Sequence, residues 1–330
     1  MSLMKQTYSK SKKKISLDIV TSALNEEDCV PELFSRIRTV MANEKNYKYR
    51  IIIIDNGSKD NTWDVIQGYA KLKWDIVGIQ LSRTFTLDAA FTCGLDHAVG
   101  DVAILMTSDL QDPPELIPEL LRKFEEGYDQ VLVRITKRET VPFLRRMLSW
   151  GFYAIASRMT NGMIPKSVSD FRLLSRKTYV GINRLRENHR FMRGIGSWVG
   201  FKSTFIEMER PPRFAGESKW LGISFFKVIG QAVRSIFAYS AQPLMWLSVA
   251  GMAMSVFALF VVLGLSLYWI FGGPKPFAGF GTLIALGFIG FSIIMFSIGI
   301  LAQYLHLTYE ESKQRPLYLI SKSTIKLQIH

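Results

Sequence analysis

The chain has 330 residues, 48% of them apolar, and 41 Lys and Arg against 28 Asp and Glu give a formal net charge of +13. That length suits one α/β domain with something added, and an apolar share near the globular norm excludes a polytopic transporter. The basic balance points to phosphates or anionic lipid head groups; nucleic acid is set aside because two long charge-free stretches lie near the C-terminus.

Residues 1–14 carry Lys10, Lys12, Lys13 and Lys14 without a following apolar run. They read as a basic mobile tail and not as a signal peptide. Ile15 to Ser22 reads as a strand, Asn25 to Met41 as a helix (Val30, Leu33, Phe34, Ile37, Val40, Met41), and the β-branched run to Ile54 as a strand buried on both faces. Then follow a helix over 60–72, a strand over 76–81, a helix over 88–98, a strand over 102–106, a helix over 116–126 and a strand over 129–133. This alternation predicts a mostly parallel sheet with helices on both faces, whose sites lie beyond the carboxyl ends of the strands. Cys29 and Cys93 lie far apart without metal-ligand spacing and read as reduced, buried thiols of a cytosolic domain.

From Pro142 to Ser235 the pattern is less regular and rich in Arg, Lys and Trp, with amphipathic helices expected near 143–160 and 221–238. The second of these reads as an interfacial helix. No Asp, Glu, Lys or Arg falls between Arg234 and Lys275, or between Lys275 and Glu310. Each gap can hold the roughly 20 apolar residues of a membrane span, placed at Pro243–Phe271 and Phe277–Leu305. Gly272, Gly273, Pro274 and Pro276 turn between them. Lys219, Lys227 and Arg234 precede the first span, and Lys313, Arg315 and Lys322 follow the second. The positive-inside rule therefore predicts a multi-pass protein of the inner (cytoplasmic) membrane, with its catalytic domain and both termini cytoplasmic. Gly251, Ala253, Ser255, Gly287, Gly290 and Gly299 allow close helix packing, so a homo-oligomer, for example a tetramer, is expected. The resulting division is a tail over 1–14, a catalytic domain over 15–220, an interfacial helix over 221–240, a two-helix hairpin over 241–306 and a cytoplasmic tail over 307–330.

Two clusters could carry chemistry. Asp55-Asn56-Gly57-Ser58 follows a buried strand, and alone it reads first as a capping turn. Ser108-Asp109-Leu110-Gln111-Asp112-Pro113-Pro114-Glu115 follows another. Asp109, Gln111 and Asp112 offer oxygen ligands in a short loop, suited to a hard divalent ion that takes its remaining ligands from a substrate diphosphate.

These clusters, with Ala23-Leu24-Asn25-Glu26-Glu27 before them and Gly216-Glu217-Ser218-Lys219-Trp220 and Gln314-Arg315-Pro316 after, stand in an order that resembles family 2 glycosyltransferases of the dolichol-phosphate mannose synthase group. The two C-terminal spans resemble the bacterial GtrB-type branch, which makes polyprenyl-phosphate glucose. The resemblance implies a GT-A (Rossmann-like) fold and inverting transfer of a sugar from UDP-sugar, UDP-glucose foremost, to polyisoprenyl (undecaprenyl) phosphate at the bilayer. It places nucleotide contacts on Ser22, Leu24, Glu26, Asp55, Asn56, Arg83 and Ser108. It places Mg2+ or Mn2+ on Asp109 and Gln111, the lipid phosphate on Arg145, Arg213, Ser218 and Lys219, and an acid near the acceptor on Asp170. Thr107 departs from the pattern, standing where the first Asp of an Asp-x-Asp-x-Gln segment is usual. Thr84 and Thr86 also depart, replacing Asn and Gly. Competing expectations are a processive polysaccharide synthase, disfavoured by two spans and no Gln-x-x-Arg-Trp, and a non-catalytic scaffold, for which Thr107 speaks.

Overall fold

The computed structural model describes residues 14–72, 75–137, 168–188, 190–212, 214, 244–247, 249, 251–253, 256, 260, 263–264, 267, 270–271 and 280–325. They fall into two units, one holding the described residues up to 214 together with those from Pro316 onward, the other those from 244 to Arg315.

The first unit is built on one eight-stranded sheet. Its strands are β1 (Ile15–Ala23), β2 (Tyr47–Asp55), β3 (Ile76–Leu81), β4 (Val102–Thr107), β5 (Gln130–Lys137), β6 (Val168–Ser175), β7 (Ser203–Glu209) and β8 (Ile320–Ser323). Their spatial order is β7-β5-β6-β4-β1-β2-β3-β8. β4, β1, β2 and β3 run parallel, as do β5 and β7, while β6 and β8 pair antiparallel with their neighbours. Progression from β1 to β3 runs one way and β4 returns to the other side of β1. The β1/β4 boundary is thus a topological switch point, where crevices form in open α/β sheets.

Among the described residues of this unit the α-helices are α1 (Cys29–Met41), α2 (Thr62–Lys71), α3 (Leu87–Asp96), α4 (Ile117–Glu125), α5 (Arg176–Arg184) and α6 (Met192–Trp198). On one face Leu17, Ile19, Ile51, Ile53, Val102 and Ile104 share a core with Val30, Phe34 and Ile37 of α1, Ile66 of α2 and Leu120 of α4. On the other α3 lies so close that a Cβ on Gly94 would sit 2.2 Å from the Val20 side chain. With both faces covered, Ile52, Ile53 and Ile54 are all fully buried. Each such side chain contributes about 1.5–3 kcal/mol, which accounts for the unbroken apolar runs that the sequence shows in β2 and β4. Cys29 and Cys93 are buried free thiols.

The expected elements from 15 to 133 are all present. α1 starts later than the expected Asn25, because Asn25 is left-handed (φ 50°) and its polar groups are engaged elsewhere. β6, α5, α6 and β7 occupy part of the stretch that reads as irregular. Within the segment expected as a cytoplasmic tail over 307–330, β8 (Ile320–Ser323) joins the sheet. β8 pairs antiparallel with the edge of β3, Ser82 N donates to Leu319 O (2.8 Å), and Gly78 N donates to Thr324 Oγ1 (2.9 Å). The strand reads poorly in sequence because it covers a single edge and none of its four residues is fully buried.

In the second unit, α7 (Phe280–Ser312) is 33 residues long. Within it Gly290–Ser312 is one helix long and apolar enough to cross a membrane, and it is the only such helix among the described residues. Its side chains lie open, Phe296 at 69% and Leu305 at 71% exposure. The expected second span ended at Leu305; the helix continues a further seven residues, to Ser312. Of the expected first span, the described positions from 244 to 270 are helical. The amphipathic helices expected near 143–160 and 221–238 lie outside the described residues.

Candidate active site

The loops that leave β1, β2, β3 and β4 meet beyond the strands' carboxyl ends. The β1 and β2 loops are cross-linked: Asn25 N donates to Ser58 Oγ (2.9 Å), Lys59 N to Asn25 Oδ1 (2.8 Å), Glu26 N to Thr62 Oγ1 (2.8 Å), and Asn61 N to Glu27 Oε2 (3.0 Å). These bonds use the groups that would otherwise start a helix at Asn25, and Glu26 is held in a buried position. Asp55 is fully enclosed. Its Oδ1 accepts from Ser58 N (2.9 Å) and its Oδ2 from Gln80 Nε2 (2.8 Å), so it shapes the turn and ties β2 to β3.

Asn56 clasps the β3 loop with both ends of its amide. Its Nδ2 donates to Phe85 O (2.9 Å) and its Oδ1 accepts from Phe85 N (2.8 Å). Gly57 makes that approach possible. It is left-handed (φ 75°), and a Cβ there would lie 2.6 Å from Arg83 C and 2.7 Å from Thr84 N, so only glycine fits. Arg83 is exposed, its guanidinium 4.2 Å from the Phe85 ring centroid. This is a flat cationic platform beside the loop cluster. At the switch point Ser108 Oγ donates to Ser22 O (2.9 Å), closing β4 onto β1. Leu24 is half-buried at the same rim.

The acidic loop after β4 has two unlike carboxylates. Asp109 is half-buried; its Oδ1 accepts from Thr107 Oγ1 (2.8 Å) and Gln111 N (3.2 Å), and among the described residues its Oδ2 has no partner. The Gln111 side chain makes no hydrogen bond among the described residues. Asp112 instead is fully buried, accepting from Thr107 N (3.0 Å), Thr107 Oγ1 (2.8 Å) and Ser169 Oγ (3.1 Å). Burial pushes its carboxyl above the ordinary range, against Arg210, which lowers it. Asp112 was expected among the oxygen ligands; enclosed in this way, it braces the loop. Asp109 and Gln111 form a small hard-oxygen donor set that fits a divalent ion completed by a diphosphate. No group of three or more His, Cys, Asp and Glu with metal-site geometry occurs among the described residues.

Next to this loop, β6 carries Asp170. Arg193 of α6 grips it with two parallel bonds, Nε to Oδ1 (2.9 Å) and Nη2 to Oδ2 (2.7 Å). Arg172, only 1% exposed, donates to the carbonyls of Ser169, Asp170 and Met192 and adds a 3.8 Å ion pair to Asp170. Burial works against the Asp170 carboxylate, but Arg193 and Arg172 outweigh it and hold its carboxyl below the usual range. Burial pushes Arg172 down to about 10. Asp88 of α3 accepts from Met192 N (2.8 Å) and is pushed up to about 6, mainly by burial and then by Asp170.

The structure therefore gathers Ser22, Leu24, Glu26, Asp55, Asn56, Arg83, Ser108, Asp109 and Gln111 on the β1–β4 loops, with Asp170 on the adjoining strand. Arg145, Arg213, Ser218 and Lys219 lie outside the described residues. Sequence reading missed Arg193 and Asp88 as parts of the site. Their partners are 23 and 104 residues away, so no local spacing marks them. A groove of about 350 Å³ lined by Arg36, Leu110, Pro113, Glu209, Pro212 and Phe214 opens beside the acidic loop. A larger concavity, about 650 Å³, lies at the opposite strand ends around Ser16, Tyr47 and Asp101, away from the loop cluster.

A mostly parallel sheet with these loops at one end and an acidic turn after β4 has GT-A glycosyltransferase architecture. The sequence comparisons take this further. The family described as Glycosyl transferase family 2 matches residues 18–181. The chain is 35% identical to the Bacillus subtilis protein named uncharacterized glycosyltransferase YkcC, over 94% of each chain. It is 34% identical to the prophage bactoprenol glucosyl transferase homolog of Escherichia coli K12, over 93% of this chain and 99% of that one. It is 33% identical to the bactoprenol glucosyl transferase of Shigella phage SfV, over 94% of this chain and all of that one. The chain belongs to glycosyl transferase family 2 and is a glycosyltransferase. Glucosyl-3-phosphoglycerate synthase from Mycobacterium tuberculosis is a remote structural neighbour, at 14% identity and TM-score 0.45 over 68% of this chain and 78% of that one. At that distance nothing about the site is carried over.

Proposed function

We propose that the chain transfers a hexose, glucose foremost, from UDP-sugar to polyisoprenyl phosphate such as undecaprenyl phosphate, at the cytoplasmic face of the inner membrane. The observation that carries the reading is the Asp109–Gln111 pair at the switch point, joined by loops suited to a nucleotide and set in a chain with an exposed apolar helix. Relatives named bactoprenol glucosyl transferase support the acceptor class.

On this reading Glu26, Asp55, Asn56, Arg83, Ser22, Leu24 and Ser108 hold or frame the nucleotide. Asp109 and Gln111 hold Mg2+ or Mn2+. When bound, such an ion would neutralise charge on the departing UDP. A lipid phosphate oxygen attacks the anomeric carbon as the bond to UDP breaks, with inversion. The acceptor is already anionic, so no strong base is needed, and Asp170 serves by holding Arg193 toward the acceptor side. Arg145, Arg213, Ser218 and Lys219 would receive the lipid phosphate through charge-assisted bonds. Two spans, a homo-oligomer and cytoplasmic termini complete the reading; anchoring concentrates the site with its carrier.

The test is transfer by purified protein in liposomes, given radiolabelled UDP-glucose and undecaprenyl phosphate, with Mg2+, Mn2+ or EDTA. Cation-dependent label in the lipid phase, lost in Asp109→Ala, is expected. Label absent with several UDP-sugars while the protein remains folded would sink the reading.

A further inference from the structure

We propose that Thr107 is a positioning residue whose hydroxyl, braced by Asp112, aims Asp109 at the divalent cation. This rests on the cation reading above. Thr107 is the last residue of β4 and pairs in register with Ser22 of β1, so its backbone is fixed by the sheet. Its hydroxyl lies 2.8 Å from Asp109 Oδ1 and 2.8 Å from Asp112 Oδ2. Asp112 Oδ2 also receives Thr107 N, and its Oδ1 receives Ser169 Oγ. The single hydroxyl proton lies between Asp109 Oδ1 and Asp112 Oδ2, and Asp112, itself held by Thr107 N and Ser169 Oγ, fixes the hydroxyl beside Asp109.

The consequence for Asp109 is geometric. Its Oδ1 is pinned by Thr107 and by Gln111 N, so its Oδ2 is the oxygen presented outward. Leu110 between them is left-handed (φ 60°) with its side chain 2% exposed. That conformation is unfavourable for a leucine, and it persists because the buried side chain and the flanking hydrogen bonds over-determine the turn. Asp112, fully enclosed, cannot reach a ligand. The chain thus replaces a second charged ligand at 107 with a neutral donor that orients the remaining one. A pre-oriented carboxylate loses less freedom on binding, which offsets part of the missing charge.

The whole chain in detergent would be titrated with Mn2+ in the presence and absence of saturating UDP, with free Mn2+ read by electron paramagnetic resonance. Thr107→Val keeps the shape and removes the hydroxyl; Thr107→Ser keeps the hydroxyl. The expected result is Mn2+ affinity about tenfold weaker for the valine variant and within about twofold of wild type for serine. Thr107→Ala gives the same comparison if the valine variant does not fold. Equal affinity in the valine, or alanine, variant and wild type, or an equal loss in serine, would overturn the inference. A wild-type chain that binds no Mn2+ with UDP would instead overturn the cation reading, and this inference with it.

Discussion

Arg193 and Asp170 face each other fork to fork, with both carboxylate oxygens taken at 2.7 and 2.9 Å. A general base needs a proton affinity near the working pH and an oxygen to receive the proton. The Asp170 carboxyl is held below the ordinary range by Arg193 and Arg172 once burial is outweighed, and both its oxygens already accept from Arg193, which favours a positioning role. The expected outcome for Asp170→Asn is a fall in kcat of about 10- to 100-fold, with the shape of the pH–rate profile between pH 6 and 9 unchanged. Arg193→Lys, which cannot make the paired bonds, should show a smaller fall with the same unchanged profile. An acidic limb present in wild type and absent in Asp170→Asn would restore the base role.

Gly57→Ala tests whether the β2 and β3 loops must touch for the proposed nucleotide binding. The new methyl would meet the backbone at Arg83 and Thr84 at 2.6–2.7 Å, and the position is left-handed. The β3 loop must retreat and the Asn56 clasp on Phe85 must lengthen. UDP affinity, read by calorimetry, should fall by about tenfold or more, while the melting temperature drops by only a few degrees. UDP affinity equal to wild type would show that the loop contact does not serve the nucleotide.

The C-terminal strand is held from two sides. Tyr318 Oη donates to Asp96 Oδ2 (2.8 Å), and Arg186 grips the same carboxylate through both oxygens. Burial, then Cys93 and Asp96, push the Tyr318 phenol up, so it stays a donor across the working pH range. Tyr318→Phe should cost about 1 kcal/mol, read as a lower melting temperature. Removing residues 316–330 should cost more, since it uncovers the β3 edge that leads into Arg83. An unchanged melting temperature on truncation would mean that β8 adds nothing to the sheet.

What the sequence discloses follows from how local the cause is. The runs at Ile51–Ile54 and Val102–Met106 announce buried parallel strands because both faces are apolar. Asp109 and Gln111 stand out in the sequence because a two-residue spacing after a strand is a local pattern. Arg193, Asp88 and Ser169 do not, because each is defined by a partner on another element. Asp112 shows the opposite error. Its spacing suits a ligand, yet the loop turns it inward onto Thr107 and Ser169. β6 was hidden because Ser169, Asp170 and Arg172 interrupt its apolar pattern, and those polar groups find partners on α6 and the acidic loop as well as within the strand.

Asp88 gives a pH prediction with a definite sign. Its carboxyl is raised from the usual range to about 6, chiefly by burial and by Asp170, against the lowering bond from Met192 N and the nearby arginines. The folded state therefore binds its proton more tightly than the unfolded chain does. Stability from this group is present below the unfolded value near 4 and is lost as pH rises through 6. Taken at face value the shift corresponds to roughly 3 kcal/mol at neutral pH. Asp88 is half-buried, so solvent screening trims this to about 1–2 kcal/mol. Asp88→Asn keeps an oxygen for Met192 N and removes the charge. It should raise the melting temperature at pH 7.5 by a few degrees and leave it nearly unchanged at about pH 3, where the carboxyl is protonated in the folded and the unfolded chain alike. A variant less stable than wild type at pH 7.5 would mean that the charge on Asp88 is needed by Arg193 and Arg172 more than its burial costs.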